Sequence, residues 1–338
     1  MNMYNWLENV KLETRKKAMP ILSFPCVSLM NISVRELTAD DSLQATGMKL
    51  IADKYETLAS VSMMDLSVEA EAFGSEIRFS DDEVPTVVGS IVNSPEDAAN
   101  LKIPPISAGR CSQYVKAIKN AKQLIIDRPV FAGVIGPFSL AGRLMDVSEI
   151  MINCYDEPDM VHSVLEKASD FLISYINEYK KAGADGVVLA EPLTGMLSPS
   201  LAEEFSEPYV RKIVESVQDD NFILIYHNCG NNVLYMLNSI LATGAAAYHF
   251  GNAVNMLDIL KNVPSDVVVM GNVDPAKQIK NGTKESVKEE TKRIMKECSA
   301  YSNFIISSGC DIPPASPWEN IGAFFEAVDE YYADNKKE

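Results

Sequence analysis

Histidine is scarce in this chain, with three in 338 residues, and so are tryptophan, with two, and cysteine, with six. The thiols, Cys26, Cys111, Cys154, Cys229, Cys298 and Cys310, are too few and too irregularly spaced for a disulfide framework, which points to a reducing compartment. Long apolar runs are missing as well. No stretch reaches the ~18 residues that a membrane-spanning helix needs, so a cytoplasmic location is expected. The stretch Ala18 to Met30 follows the basic run Arg15, Lys16, Lys17 and mimics a secretory signal, but Pro20 and Pro25 interrupt it and no small-residue cleavage site follows. It reads as a buried strand. Basic residues are outnumbered, 30 Lys plus Arg against 47 Asp plus Glu, for a net charge of −17. That charge repels phosphate backbones and anionic lipid, which makes nucleic acid and membrane surface poor partners.

What is present is an ordinary globular composition, 47% hydrophobic and 23% charged. Eight short β-branched or apolar runs recur along it: 20–30, 58–64, 130–135, 186–190, 222–226, 245–250, 267–270 and 304–307. Segments of helical period separate most of them. The clearest has Pro158 in its first turn and Met160, Val161, Val164, Leu165, Ala168, Phe171, Leu172, Tyr175, Ile176 and Tyr179 on one face, ending in Lys180 and Lys181. A final helix is expected to open with a capping box, Ser316-Pro317-Trp318-Glu319. Eight strands alternating with helices, with no Gly-x-Gly-x-x-Gly and no Walker loop, predict an α/β fold, a (β/α)8 TIM barrel spanning 1–338 as one domain. Residues 74–105, acidic and Pro-rich, read as an insertion after strand two that covers the barrel mouth. No linker divides the chain.

Active-site groups of such barrels stand at the carboxyl ends of the strands. There the chain places Asp65, Glu191, His227 with Cys229, His249, Asn272 with Asp274, and Cys310. His227 and Cys229, one residue apart, point to the same side of a strand end, and Cys310 arrives from a strand three further round the ring. One imidazole and two thiolates suit Zn²⁺, with the fourth position left to substrate or to a displaceable carboxylate, Glu191 being the candidate. The same residues also fit a plainer arrangement of buried thiols, a core histidine and a Glu191 that caps a helix. Asp65 is a candidate to orient His227 or an acceptor amine, or else caps the next helix. Asn272 and His249 are candidates to line the mouth against a bound cofactor, or to shape it structurally. His162 reads as surface, and Cys26, Cys111, Cys154 and Cys298 as buried or incidental thiols.

The stretches Tyr226-His227-Asn228-Cys229-Gly230, Met270-Gly271-Asn272-Val273-Asp274-Pro275 and Ser308-Gly309-Cys310-Asp311-Ile312-Pro313-Pro314 resemble the uroporphyrinogen decarboxylase superfamily. Within it they resemble the zinc-dependent methylcobamide:coenzyme M methyltransferases, marked by His-x-Cys and a much later Cys. The segments 64–74 and 136–142 match that branch too, so the resemblance runs from about Met48 to the C-terminus. The chain departs from the decarboxylases in three places. Ser23 to Ser28 lacks their porphyrinogen-binding arginines, Arg143 stands where they place a tyrosine, and Cys310 where they place a histidine. Asp65 does match their central aspartate, which binds pyrrole NH groups there. The resemblance implies a corrinoid methyltransferase that uses Zn²⁺ held by His227, Cys229 and Cys310. Methyl would pass from methylcobalamin or a related corrinoid, carried by a partner protein, to a small acceptor, coenzyme M or tetrahydrofolate. The rival expectations are a decarboxylase of a porphyrinogen-like substrate and a non-catalytic corrinoid-protein binding module.

Overall fold

In the computed structural model, which describes residues 1–334, nine strands form in chain order: β1 (Ser60–Val61), β2 (Glu76–Arg78), β3 (Thr86–Val88), β4 (Val130–Ile135), β5 (Gly186–Ala190), β6 (Ile223–Asn228), β7 (Ala247–Phe250), β8 (Val268–Val273) and β9 (Phe304–Ser308). Seven of them build one parallel sheet in the order β1-β4-β5-β6-β7-β8-β9, helices filling most of the intervals between them. The sheet curls so that an irregular segment bridges its two edges. Met19 N–H donates to Ile306 O at 3.1 Å on the β9 side, and Leu58 N–H to Ala18 O at 2.8 Å on the β1 side. Residues 18–22 are thus the eighth stave, and the fold is a TIM barrel.

That stave differs from the strand expected over 20–30. Only its first residues run between the sheet edges, and Cys26–Met30 is a short helix. Pro20 and Pro25 have no N–H to give a ladder, and Pro25 sits where the helix begins, so the apolar run is divided by its prolines. The other seven runs coincide with strands to within a few residues, β4 and β5 at both ends. Their continuous apolar character follows from burial on both faces. Along β4, Phe131 joins the barrel interior with Met64, Val188, Ile223, Ile225, Ala247, Val268, Met270 and Ile305, while Val130, Ala132 and Val134 pack outward under the helices. The period-two alternation of a strand divides each run between two cores. The helix Met3–Leu12 adds Met3, Leu7 and Val10 to the inner cluster.

The long helix forms over Pro158–Lys181 and buries the predicted face. Residues 74–105 contain the antiparallel pair β2–β3 and the helix Pro95–Asn100, which Lys167 anchors by donating to Ala98 O and Ala99 O at 2.5 and 2.8 Å. The expected capping box at Ser316 does not form. The last helix, Trp318–Asp334, starts its bonding at Pro317 O, Ser316 Oγ is buried without a partner among the described residues, and Glu319 pairs with Lys284 instead. No helix among the described residues is long and apolar enough to cross a membrane.

Candidate metal centre

The inward register of β6 runs Ile223, Ile225, His227, so the histidine continues the barrel lining where apolar filling ends. Cys229 follows two residues on, and Cys310 enters two residues after β9. The ligand atoms of His227, Cys229 and Cys310 all lie within 4.8 Å of one another. His227 is buried, whereas both cysteines are partly exposed at the mouth. Cys310 Sγ stands 3.5 Å from His227 Nε2. A tetrahedral zinc with Zn–S of about 2.3 Å and Zn–N of about 2.0–2.1 Å separates sulfur from nitrogen by roughly 3.5 Å, so the donors fit that ion in type and in spacing.

The neighbouring Cys310 thiol pulls Cys229 below the ordinary thiol range, burial opposing and His227 assisting, while Cys310 beside it is pushed well above that range. A cation held between them would draw protons off both sulfurs. The loop carrying Cys229 is pinned by Asn228, which accepts from Gly230 N–H at 2.9 Å and donates to Thr194 Oγ1 at 2.7 Å.

Four other candidate residues are engaged by the protein itself, Glu191 and Asn272 in the structural roles that stood as their alternatives. Glu191 is not part of the cluster of His227, Cys229 and Cys310. Its Oε1 accepts from Phe138 N–H at 2.9 Å and its Oε2 from Ser139 N–H at 2.9 Å and Ser139 Oγ at 2.7 Å, so it caps the helix Pro137–Met145. Burial pushes its carboxyl up to about 7 against those donors. Gly136 is required there because a Cβ would strike the Glu191 side chain. Asp65 does not orient His227. It accepts from Arg110 Nη1 at 2.6 Å, Tyr114 OH at 2.7 Å and Ser67 Oγ at 2.6 Å. Asn272 donates to Gly251 O and Val254 O at 2.9 and 2.8 Å, tying the loop after β7 rather than facing a ligand. His249 does not line the mouth. It is 2% exposed beneath His227, their Nδ1 atoms 2.8 Å apart, and burial with His227 beside it keeps it well below the ordinary histidine range and neutral.

His162, expected at the surface, is half buried against Phe205 and bonds Tyr209 OH at 2.6 Å. Sequence reasoning missed Ser307, whose Oγ lies 2.8 Å from His249 Nε2. The signal was available: Ser307 occupies the inward register of β9 after Ile305, a polar residue at a core position.

The fold is that of a TIM-barrel protein, with a sulfur–imidazole cluster at its strand ends that could hold a metal ion. Residues 16–331 match the family model for uroporphyrinogen decarboxylase (URO-D), and the chain belongs to that family. It is 28% identical to the methylcobamide:CoM methyltransferase MtbA of Methanosarcina acetivorans over 79% of this chain and 78% of that protein. It is 25% identical to the uroporphyrinogen decarboxylase of Hydrogenovibrio crunogenus over 88% and 83%. A solved methyltransferase from Methanosarcina mazei superposes with a TM-score of 0.85 over 98% of each chain at 24% identity, which establishes the shared fold.

Proposed function

We propose that this protein is a zinc-dependent methyltransferase that takes a methyl group from a methylated corrinoid on a partner protein to a small thiol, coenzyme M. The observation that carries the reading is the convergence of His227, Cys229 and Cys310 at the barrel mouth. The named methyltransferase relative supports it. Zinc bound there would supply Lewis acidity that keeps a thiol ionised near neutral pH, where a free thiol of pKa about 8.5 is mostly protonated. His227, Cys229 and Cys310 hold three positions, and the exposed side of the two cysteines admits the acceptor. Because Glu191 is engaged with its helix, it does not compete for the fourth position. In the transfer the acceptor sulfur forms the S–C bond, the Co–C bond breaks, and its electron pair stays on cobalt.

Decarboxylation of a porphyrinogen fits less well. Asp65, the residue that matches the decarboxylases' pyrrole-binding aspartate, is already bonded through both oxygens to Arg110, Tyr114 and Ser67. The test is to follow methylcobalamin demethylation by the zinc-loaded protein with coenzyme M, with tetrahydrofolate and with no acceptor. Demethylation that requires coenzyme M is expected. Transfer to tetrahydrofolate alone would replace the acceptor, and release of carbon dioxide from uroporphyrinogen would overturn the reading. Acceptor binding has its own signature. Titrated calorimetrically in two buffers of different ionisation enthalpy, a thiol that ligates the metal should release up to about one proton per site, whereas tetrahydrofolate, reacting through an amine, should release none on binding.

A further inference from the structure

We infer that Ser307 and His249 are positioning residues that set the tautomer of His227, leaving its Nε2 bare and aimed at the two cysteines. The inference rests on the reading of His227 as a metal ligand. Two backbone carbonyls beside these side chains, Met19 O and His249 O, can only accept. Met19 O is buried, and its hydrogen-bond partner among the described residues is Ser307 Oγ, which donates to it at 2.7 Å. A serine hydroxyl has one proton, so with that proton on Met19 O the oxygen can only accept from its other neighbour, His249 Nε2, at 2.8 Å. Turning the proton toward His249 would orphan a buried carbonyl, which native interiors avoid.

His249 therefore carries its proton on Nε2 and presents a lone pair at Nδ1. Facing it at 2.8 Å is His227 Nδ1, which also lies 3.3 Å from the second acceptor-only group, His249 O. Both neighbours require a proton on His227 Nδ1. The remaining nitrogen, Nε2, is then unprotonated and lies 3.5 Å from Cys310 Sγ. Strand register builds this line. His227 and His249 are paired across β6 and β7, and Ser307 faces inward from β9, against the stave that carries Met19. A histidine that ligates through Nε2 needs its Nδ1–H held by an acceptor, and here that acceptor is another histidine whose own polarity is fixed by a backbone carbonyl.

With three histidines in the chain, full-length protein labelled with ¹⁵N-histidine reports the tautomer directly. In the metal-free protein at about pH 8.5, well above the usual histidine range, His227 should be protonated at Nδ1 and bare at Nε2. Ser307→Ala should produce a mixture of tautomers and weaken zinc binding, measured by chelator competition, about 10–100-fold. His249→Gln, which can accept from His227 and donate to Ser307, should keep affinity near the unaltered protein, whereas His249→Leu should not; thermal melts show whether each variant is folded. A proton on His227 Nε2 in the unaltered protein overturns the inference, as does a folded Ser307→Ala with unchanged tautomer and zinc affinity. If the tautomer behaves as stated but no variant or parent binds zinc, the relay stands and the ligand reading of His227 falls.

Discussion

A carboxylate that accepts three hydrogen bonds from the first turn of a helix is held away from any nearby cation by its own geometry. Glu191→Ala should therefore leave zinc content unchanged while lowering stability by roughly 2–4 kcal/mol, since it strands Phe138 N–H and Ser139 N–H in a buried turn. Metal analysis beside chemical denaturation separates the two effects, and loss of zinc at full stability would restore Glu191 as a ligand. Glu69 makes a second prediction at this scale. It is 1% exposed, Oε1 accepts from Ile135 N–H at 3.1 Å, and Oε2 has no partner among the described residues. Burial pushes its carboxyl up to about 8, the Ile135 bond opposing. A carboxyl raised on folding contributes stability that is full below its unfolded pKa of about 4.5 and is lost as pH rises through the folded value. Unfolding free energy should fall by a few kcal/mol between about pH 5 and pH 8.5, and Glu69→Gln should remove a large part of that slope. A slope that is the same in the variant would show that another group sets it.

At the level of strands and loops, the site is built by close approach. A Cβ on Gly251 would meet the Cα and Cβ of Cys229 at 2.5 Å, so the loop after β7 sets how far the thiol can lie from the barrel axis. Gly251→Ala alters none of the three proposed ligands, yet should reduce zinc affinity at least tenfold, read by competition with a chelator, while the barrel still folds. Unchanged affinity would mean the Cys229 loop adapts freely. The same level shows why most strands are legible from sequence and the first is not. β4 to β9 are runs whose residues all face one core or the other, so length and hydrophobicity suffice to locate them. The stave at 18–22 is held by bonds to Ile306 and Leu58 that are distant in sequence, and Pro20 within it and Pro25 beyond it conceal where extension ends and helix begins. The cluster of His227, Cys229 and Cys310 is legible because His-x-Cys and a remote cysteine need only strand ends to be placed. Glu191, Asp65, Asn272 and His249 depend on which side chain or loop folds over them, and the residue types alone admit either role.

For the molecule as a whole, the mouth must receive a corrinoid carried on another protein if the proposed activity holds. The turns after β5 and β6 pack against each other through Gly195 and Gly230 and present Met196, 61% exposed and next to Gly195, and Tyr235, 77% exposed and shortly after Cys229. Large apolar side chains left in water beside a site are commonly contact points. Met196→Ala with Tyr235→Ala should slow methyl transfer from a corrinoid protein several-fold and leave the rate with free methylcobalamin nearly unchanged. Equal losses with both donors would place these residues in the chemistry or the fold.

X-ray absorption at the zinc edge of the loaded protein, before and after coenzyme M, bears most directly on the central claim that His227, Cys229 and Cys310 form a centre open to a thiol. The account predicts a first shell with two sulfurs and one imidazole from these side chains, gaining one sulfur when coenzyme M is added. A sulfur count that coenzyme M leaves unchanged, or a shell without the two cysteine sulfurs, would contradict it.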